Sequence, residues 1–216
     1  MGAPATLELL PDSLPGRIDD YIGRMTFMES IHVVKTAEMP EIKNDRTCIF
    51  YNYNHSFDYC RPETLINPGL GVINFPSNFQ GLEVEDQMQI RITHPANYEL
   101  WKDLDRGAAG EGRSAQYKEA KQECVRQSLA LVRKIVGNFH ENVVYQNTFT
   151  PLTVEHYSGK AKGALYGSPL KIKDGRTDYE NLFIAGTDQG YLGIVGSMLS
   201  GVSMVNRHVL TSQAGP

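Results

Sequence analysis

Cysteine, clustered histidine, cationic runs and long apolar runs are what this sequence has least of. Its three cysteines, Cys48, Cys60 and Cys124, are widely spaced and odd in number. They form neither a disulfide framework nor a C-x-x-C metal or redox pair, so a reducing compartment is the default. The six histidines are scattered, with no H-x-x-x-H and no H-E-x-x-H, and no metal is expected. Lysine and arginine number 21 against 25 acidic residues, a net charge of -4, which supplies none of the basic field that phosphate-backbone binding needs, so nucleic acid is not an expected partner. The start, MGAPATLELLPDSLPGRIDDYIGRM, lacks the cationic segment and apolar block of a secretory signal. MGAPAT fits the myristoylation pattern, but that pattern is short, occurs often by chance and carries no weight here. The least polar stretch, Gly193 to Leu210, is interrupted by Ser197, Ser200, Ser203, Asn206, Arg207 and His208. It is too short to span a bilayer and reads as a buried helix. The expected location is cytoplasmic, with no transmembrane segment and with peripheral membrane contact left open.

What is present is enough apolar material, 41% of 216 residues, to fill a core. Leu14 to Arg24 reads as a short helix. Ser30–Lys35, Cys48–Tyr53, Gly71–Phe75 and Met88–His94 read as strands bounded by Pro, Gly, Asn or Asp. In the last of these Met88, Ile90 and Ile92 alternate with Gln89, Arg91 and Thr93, the period of a strand with one wet and one buried face. With no long helices between them, these strands point to an antiparallel sheet able to present one face to a substrate. Pro95 to Leu104 continues as a short helix, and DRGAAGEGRSAQ, Asp105 to Gln116, reads as a surface loop. Tyr117 to Val136 places Cys124, Val125, Leu129, Val132 and Val136 at helical spacing and ends near Gly137, an amphipathic helix. Val143 and Val144 begin another strand. Thr148 to Pro169 has no clear period, KDGR at 173–176 is a turn, and Asn181 to Ala185 is a short apolar strand of the kind buried in a parallel sheet.

The run NLFIAGTDQGYLGIVGSMLSG, Asn181 to Gly201, raises the question of a nucleotide site. Gly190, Gly193 and Gly196 give G-x-x-G-x-x-G, where the first turn of a dinucleotide fold needs G-x-G-x-x-G and an acidic residue one strand further on. The run therefore reads as a closing unit: a last strand, a glycine turn, and a final helix whose N-terminus near Ile194 faces something electron-rich. Asp188 stands where an acceptor for ribose-type hydroxyls sits in an open α/β sheet. The spacing leaves a second reading open, in which Gly193, Gly196, Ser197, Ser200 and Gly201 only allow close helix packing.

The stretch NLFIAGTDQGYLGIVGSMLSGVSMVNRHVL resembles the C-terminal flavin-binding segment of the phytoene desaturase-like FAD-dependent oxidoreductases, the group of carotenoid desaturases, carotenoid isomerases and retinol saturases. Upstream, TPLTVEHYSGKAKGALYGSP is similar to a second block of that group, and the two stand in the right order. The resemblance implies FAD as cofactor. It implies that Asp188, after Gly186, meets the ribityl or pyrophosphate side, and that the backbone of Gly193, Ile194, Val195 and Gly196 meets the pyrimidine edge of the flavin. That assignment agrees with electrostatics, since reduced flavin gathers negative charge near that edge and a helix N-terminus offers unpaired N–H donors. His156, Tyr157 and Tyr166 are candidates for contact with flavin or substrate, with ordinary packing as the alternative for each. No catalytic acid or base is assigned, because on polyenes the flavin does most of the chemistry. One departure is Thr187, which separates Gly186 from Asp188 where the family pattern has Gly-Asp.

The expectation is then an α/β (α+β) protein. Residues 1–147 form a substrate-domain portion with an antiparallel sheet, and residues 148–216 a C-terminal portion with the closing strand and helix of a Rossmann-like FAD domain. The family's N-terminal G-x-G-x-x-G is not seen, so the chain resembles a C-terminal part. The implied reaction is hydride transfer between flavin and a carbon–carbon bond of a hydrophobic, isoprenoid-type substrate. The alternative is a non-catalytic interaction module, or a partner subunit that completes its flavin site with a missing N-terminal half.

Overall fold

The computed structural model describes residues 2–35, 46–57, 60–82, 86–105 and 112–210. Residues 106–111 of the glycine-rich loop expected at 105–116 lie outside the described residues. In chain order the elements are α1 (Ala3–Leu9), α2 (Ile18–Tyr21), β1 (Thr26–Lys35), β2 (Cys48–Asn52), β3 (Leu70–Asn74), β4 (Gln87–Ala96), α3 (Tyr98–Leu104), α4 (Ala115–Val136), β5 (Val143–Phe149), α5 (Pro151–Ser158) and α6 (Gly193–Met204). They fall into two compact units: Met25–Ser158, and the chain up to Arg24 together with the chain from Gly159.

The Met25–Ser158 unit is built on an antiparallel sheet in the order β2-β3-β4-β1-β5. β1 and β4 pair over their full lengths, from Thr26↔Ala96 to Lys35↔Gln87. The alternation in β4 decides which face is covered: Met88, Ile90 and Ile92 join Val34, Ile73 and Phe75 in a core completed by Val132, Val136 and Phe139. α4 thus lays its apolar stripe on one face of the sheet. Ser114 caps that helix by accepting from the Tyr117 N–H at 3.0 Å, and Gly137, at φ 85°, ends it in the left-handed region that glycine alone enters without strain. A second core gathers Met28, Ile66, Trp101, Tyr117, Cys124, Val125 and Leu152, with the Trp101 indole N–H donating to the Leu65 carbonyl at 3.1 Å.

Polar groups on the two faces are treated differently. On the helix side, His94 is fully buried between the Leu70 carbonyl, 3.0 Å from Nδ1, and the Ser128 hydroxyl, 2.7 Å from Nε2. A carbonyl only accepts, so Nδ1 carries the proton and Nε2 accepts from Ser128. Burial pushes the His94 pKa down to about 4, which keeps the ring neutral. On the opposite face Glu29 accepts from Arg91 Nε at 2.6 Å and from Thr93 at 2.8 Å, linking neighbouring strands across the Glu29↔Thr93 register pair.

In the other unit, Ala3, Leu7, Leu14 and Tyr21 pack together with Ile172. The helix expected over Leu14–Arg24 is only Ile18–Tyr21, because Pro15 and a left-handed Gly16 at φ 89° precede it. Asn181–Ala185 is not a sheet strand. It makes one isolated antiparallel bridge, Arg176↔Phe183, and Ile184 N–H donates to the Gly175 carbonyl, so its pairing is satisfied by the turn just before it. The unperiodic Thr148–Pro169 stretch contains a helix after all, α5, which buries only Pro151 and Leu152 and so shows no long apolar stripe.

Candidate functional site

The glycine run forms a short 3₁₀ turn, Gly186–Asp188, and then α6. Gly193 opens the helix at φ 75°, which a residue with a Cβ adopts only under strain. Gly196 serves a different end: a Cβ there would stand 3.2 Å from the Tyr191 carbonyl carbon, so its bareness lets the incoming loop fold against the first helical turn. Ser200 holds the two pieces together. Its hydroxyl accepts from the Gly186 N–H at 2.6 Å and donates to the Gln189 side chain, whose amide in turn donates to the Lys173 carbonyl at 3.0 Å.

α6 has no side-chain cap at its N-terminus. The first N–H groups of an α-helix have no partner within the helix, and together they present about half a positive charge. Ile194 and Val195, in that first turn, are 83% and 69% exposed. Further along, Met198, Leu199 and Val202 are also exposed, while Ser200 and Met204 are the buried residues. The helix therefore turns a small polar residue inward and an apolar stripe outward.

Asp188 is the hub beneath this turn. Its side chain is buried, and its two carboxylate oxygens accept from the Ala3 N–H at 2.5 Å and the Ser168 N–H at 2.6 Å. The first contact serves α1, whose N-terminus has no side-chain cap of its own. The second ties in the upstream block GALYGSP, and here Gly167 is required: at φ 69°, a Cβ on it would collide with Asp188 and stand 2.8 Å from the Thr187 hydroxyl. Lys171 completes the cluster by donating to the Tyr166 and Thr187 carbonyls at 2.5 and 2.9 Å. Burial lowers its pKa while the Asp188 charge opposes that shift. A cleft of about 290 Å³ is lined by Asp188, Gly2, Lys160, Gly167 and Ser168, among others.

The structure thus brings Gly186, Asp188, Gly193, Ile194, Val195 and Gly196 into one turn-and-helix unit, with Tyr166 at φ 66° on the adjoining loop. His156 and Tyr157 lie on α5 of the Met25–Ser158 unit, both exposed and edge-to-face at 4.9 Å. Sequence reasoning missed Ser168, Gln189 and Ser200 as the residues that fix the turn, and Ala3 as the partner of Asp188. Ser200 alone carried a signal, as a polar residue inside an apolar helix.

An FAD requirement is met in part by these groups. The uncapped start of α6, set up by glycines at the positions where a Cβ would strain or collide, suits an electron-rich ring edge. Asp188 is less open: both of its oxygens already hold backbone N–H groups, so its carboxylate acts as an anchor for the turn. Among the described residues no group of histidine, cysteine or carboxylate side chains is arranged to hold a metal ion, and no helix is long and apolar enough to cross a membrane.

No family model matches the sequence. The chain is similar to the all-trans-retinol 13,14-reductase of Danio rerio, with 28% identity over 131 residues, covering 53% of this chain and 21% of that protein. The match therefore spans about a fifth of the relative's length.

Proposed function

We propose that this chain supplies the flavin-ring side of an FAD-dependent oxidoreductase acting on a carbon–carbon bond of a hydrophobic, isoprenoid-type substrate. The observation that carries this reading is the bare N-terminus of α6, held open by Gly193 and Gly196 and anchored through Ser200 and Asp188. Support from outside the chain comes from the similarity to a reductase whose name specifies retinol, an isoprenoid alcohol.

In this reading the backbone N–H groups of Gly193, Ile194 and Val195 hold the electron-rich edge of the flavin ring, and the positive end of the helix favours the charge that gathers there on reduction. The flavin, when bound, supplies the two-electron chemistry. Asp188 positions that helix through the Gly186–Asp188 turn. The exposed side chains of Ile194, Val195 and Met198 exclude water from the ring once covered. Titrating the purified chain with FAD and following flavin fluorescence tests this: saturable quenching is expected, and an unchanged emission at every protein concentration rejects the reading.

A second reading is favoured by the outward apolar stripe of α6, in which Ile194, Val195, Met198, Leu199 and Val202 are all exposed, since apolar side chains grouped on a surface mark interaction sites. Here the chain is a subunit that completes its flavin site with another polypeptide. In that case quenching appears only when a polypeptide carrying a G-x-G-x-x-G turn is added.

A further inference from the structure

A separate cleft lies in the Met25–Ser158 unit, between α4, the loop after it and β5. It is about 500 Å³ in volume and is lined by Gln122, Val125, Arg126, Leu129, Ala130, Arg133, Asn138, Phe139, His140 and Gln146, a size suited to a small organic molecule. Its chemistry is divided. Val125, Leu129, Ala130 and Phe139 give an apolar floor, whereas Arg126, Arg133 and His140 carry every ionisable group in its lining.

No carboxylate lines the cleft. Glu123 pairs with Arg126 from one residue-turn away on α4, so part of one guanidinium is spoken for. Arg133, about two turns further along the helix, is exposed, and its guanidinium has no hydrogen-bond or ion-pair partner among the described residues. Gln122, Asn138 and Gln146 add amide donors. An isolated surface arginine means little, but two arginines, a histidine and three amides around one apolar floor form a complement to an anion with an apolar body.

A second observation comes from behind the wall. His32 is fully buried, sits opposite Gln146 in the β1–β5 register, and packs edge-on against Phe139 with ring centroids 5.5 Å apart. Its Nε2 lies 3.0 Å from the Ser30 hydroxyl, but its Nδ1 has no partner among the described residues. A buried ring nitrogen without a partner is uncommon and calls for an explanation. Two of the residues packed around it, Phe139 and Gln146, are walls of the cleft.

We propose that this cleft binds an amphiphilic oxyanion of modest size, its apolar body on Val125, Leu129 and Phe139 and its carboxylate or phosphate between Arg126, Arg133 and His140. The site is independent of the flavin reading and stands or falls without it.

The test is isothermal titration of the full chain, with octanoate and octyl phosphate as probes and octanol and inorganic phosphate as controls, backed by amide chemical shifts over residues 122–146. Both amphiphilic anions are expected to bind saturably at these residues, and the tighter of the two identifies the headgroup. Octanol and inorganic phosphate are each expected to bind more weakly, and Arg133→Gln to weaken the anions about tenfold or more. Arg126→Gln is a second exposed variant that leaves the fold intact. Absence of binding, equal affinity in both arginine variants and the parent chain, or octanol binding as tightly as octanoate would overturn the proposal.

Discussion

Removing the Asp188 carboxylate is the perturbation whose size follows most directly from the structure. Two backbone N–H groups far apart in sequence, those of Ala3 and Ser168, end on its two oxygens, and the side chain is only 3% exposed. In Asp188→Ala neither amide gains a replacement, because α1 has no other N-terminal cap and Ser168 is itself buried. A hydrogen bond to a charged group contributes about 1.5–3 kcal/mol, and a buried donor left without a partner adds to the loss. The substitution should therefore cost about 3–5 kcal/mol, a large share of an ordinary domain's stability. Urea unfolding followed by circular dichroism at neutral pH measures it, and hydrogen exchange at the amides of Ala3 and Ser168 locates it. A loss below about 1 kcal/mol, with both amides as protected as before, would show that the carboxylate does not anchor this turn.

Other consequences are as direct. His32 and His94 are held neutral by burial, each with its pKa lowered to about 4, whereas the unfolded chain titrates them near 6.5. The unfolded state then binds more protons between those limits, so their contribution is fully present above about pH 6.5 and is lost as the pH falls toward 4, by about 1.4 kcal/mol per pH unit for each ring. Unfolding free energies at pH 7 and pH 5 should differ by about 4 kcal/mol from these two groups. Equal values at the two pH values would refute this reading of the buried rings. Gly193→Ala should destabilise by about 1–2 kcal/mol, since a Cβ at φ 75° is strained; an increase in thermal midpoint would contradict the left-handed start of α6.

Much of the sheet was legible because its strands follow simple alternation. The period in β4 separates Met88, Ile90 and Ile92 from Gln89, Arg91 and Thr93, and the structure buries the first set against α4. The Glu29 partner of Arg91 and Thr93 was not legible, since it depends on β1–β4 register and not on either strand alone. Asp188 could be singled out by its place after an apolar stretch, but Ala3, 185 residues earlier in the chain, could not be named as its partner. α5 escaped because it buries two residues at one end, and a helix with so little to bury leaves no repeating apolar signal. The strand expected at Asn181–Ala185 failed for a different reason: its apolar run is paired locally by the turn before it and buries only Ile184.

The proposed function places the flavin ring at the start of α6. Hydrogen exchange over Gly193–Gly196, compared with and without FAD, measures this at the atoms concerned. Slower exchange at these amides is expected on FAD addition, with no such protection in Gly193→Ala. FAD binding that leaves the amides of Gly193, Ile194, Val195 and Gly196 exchanging at their unliganded rates would contradict it.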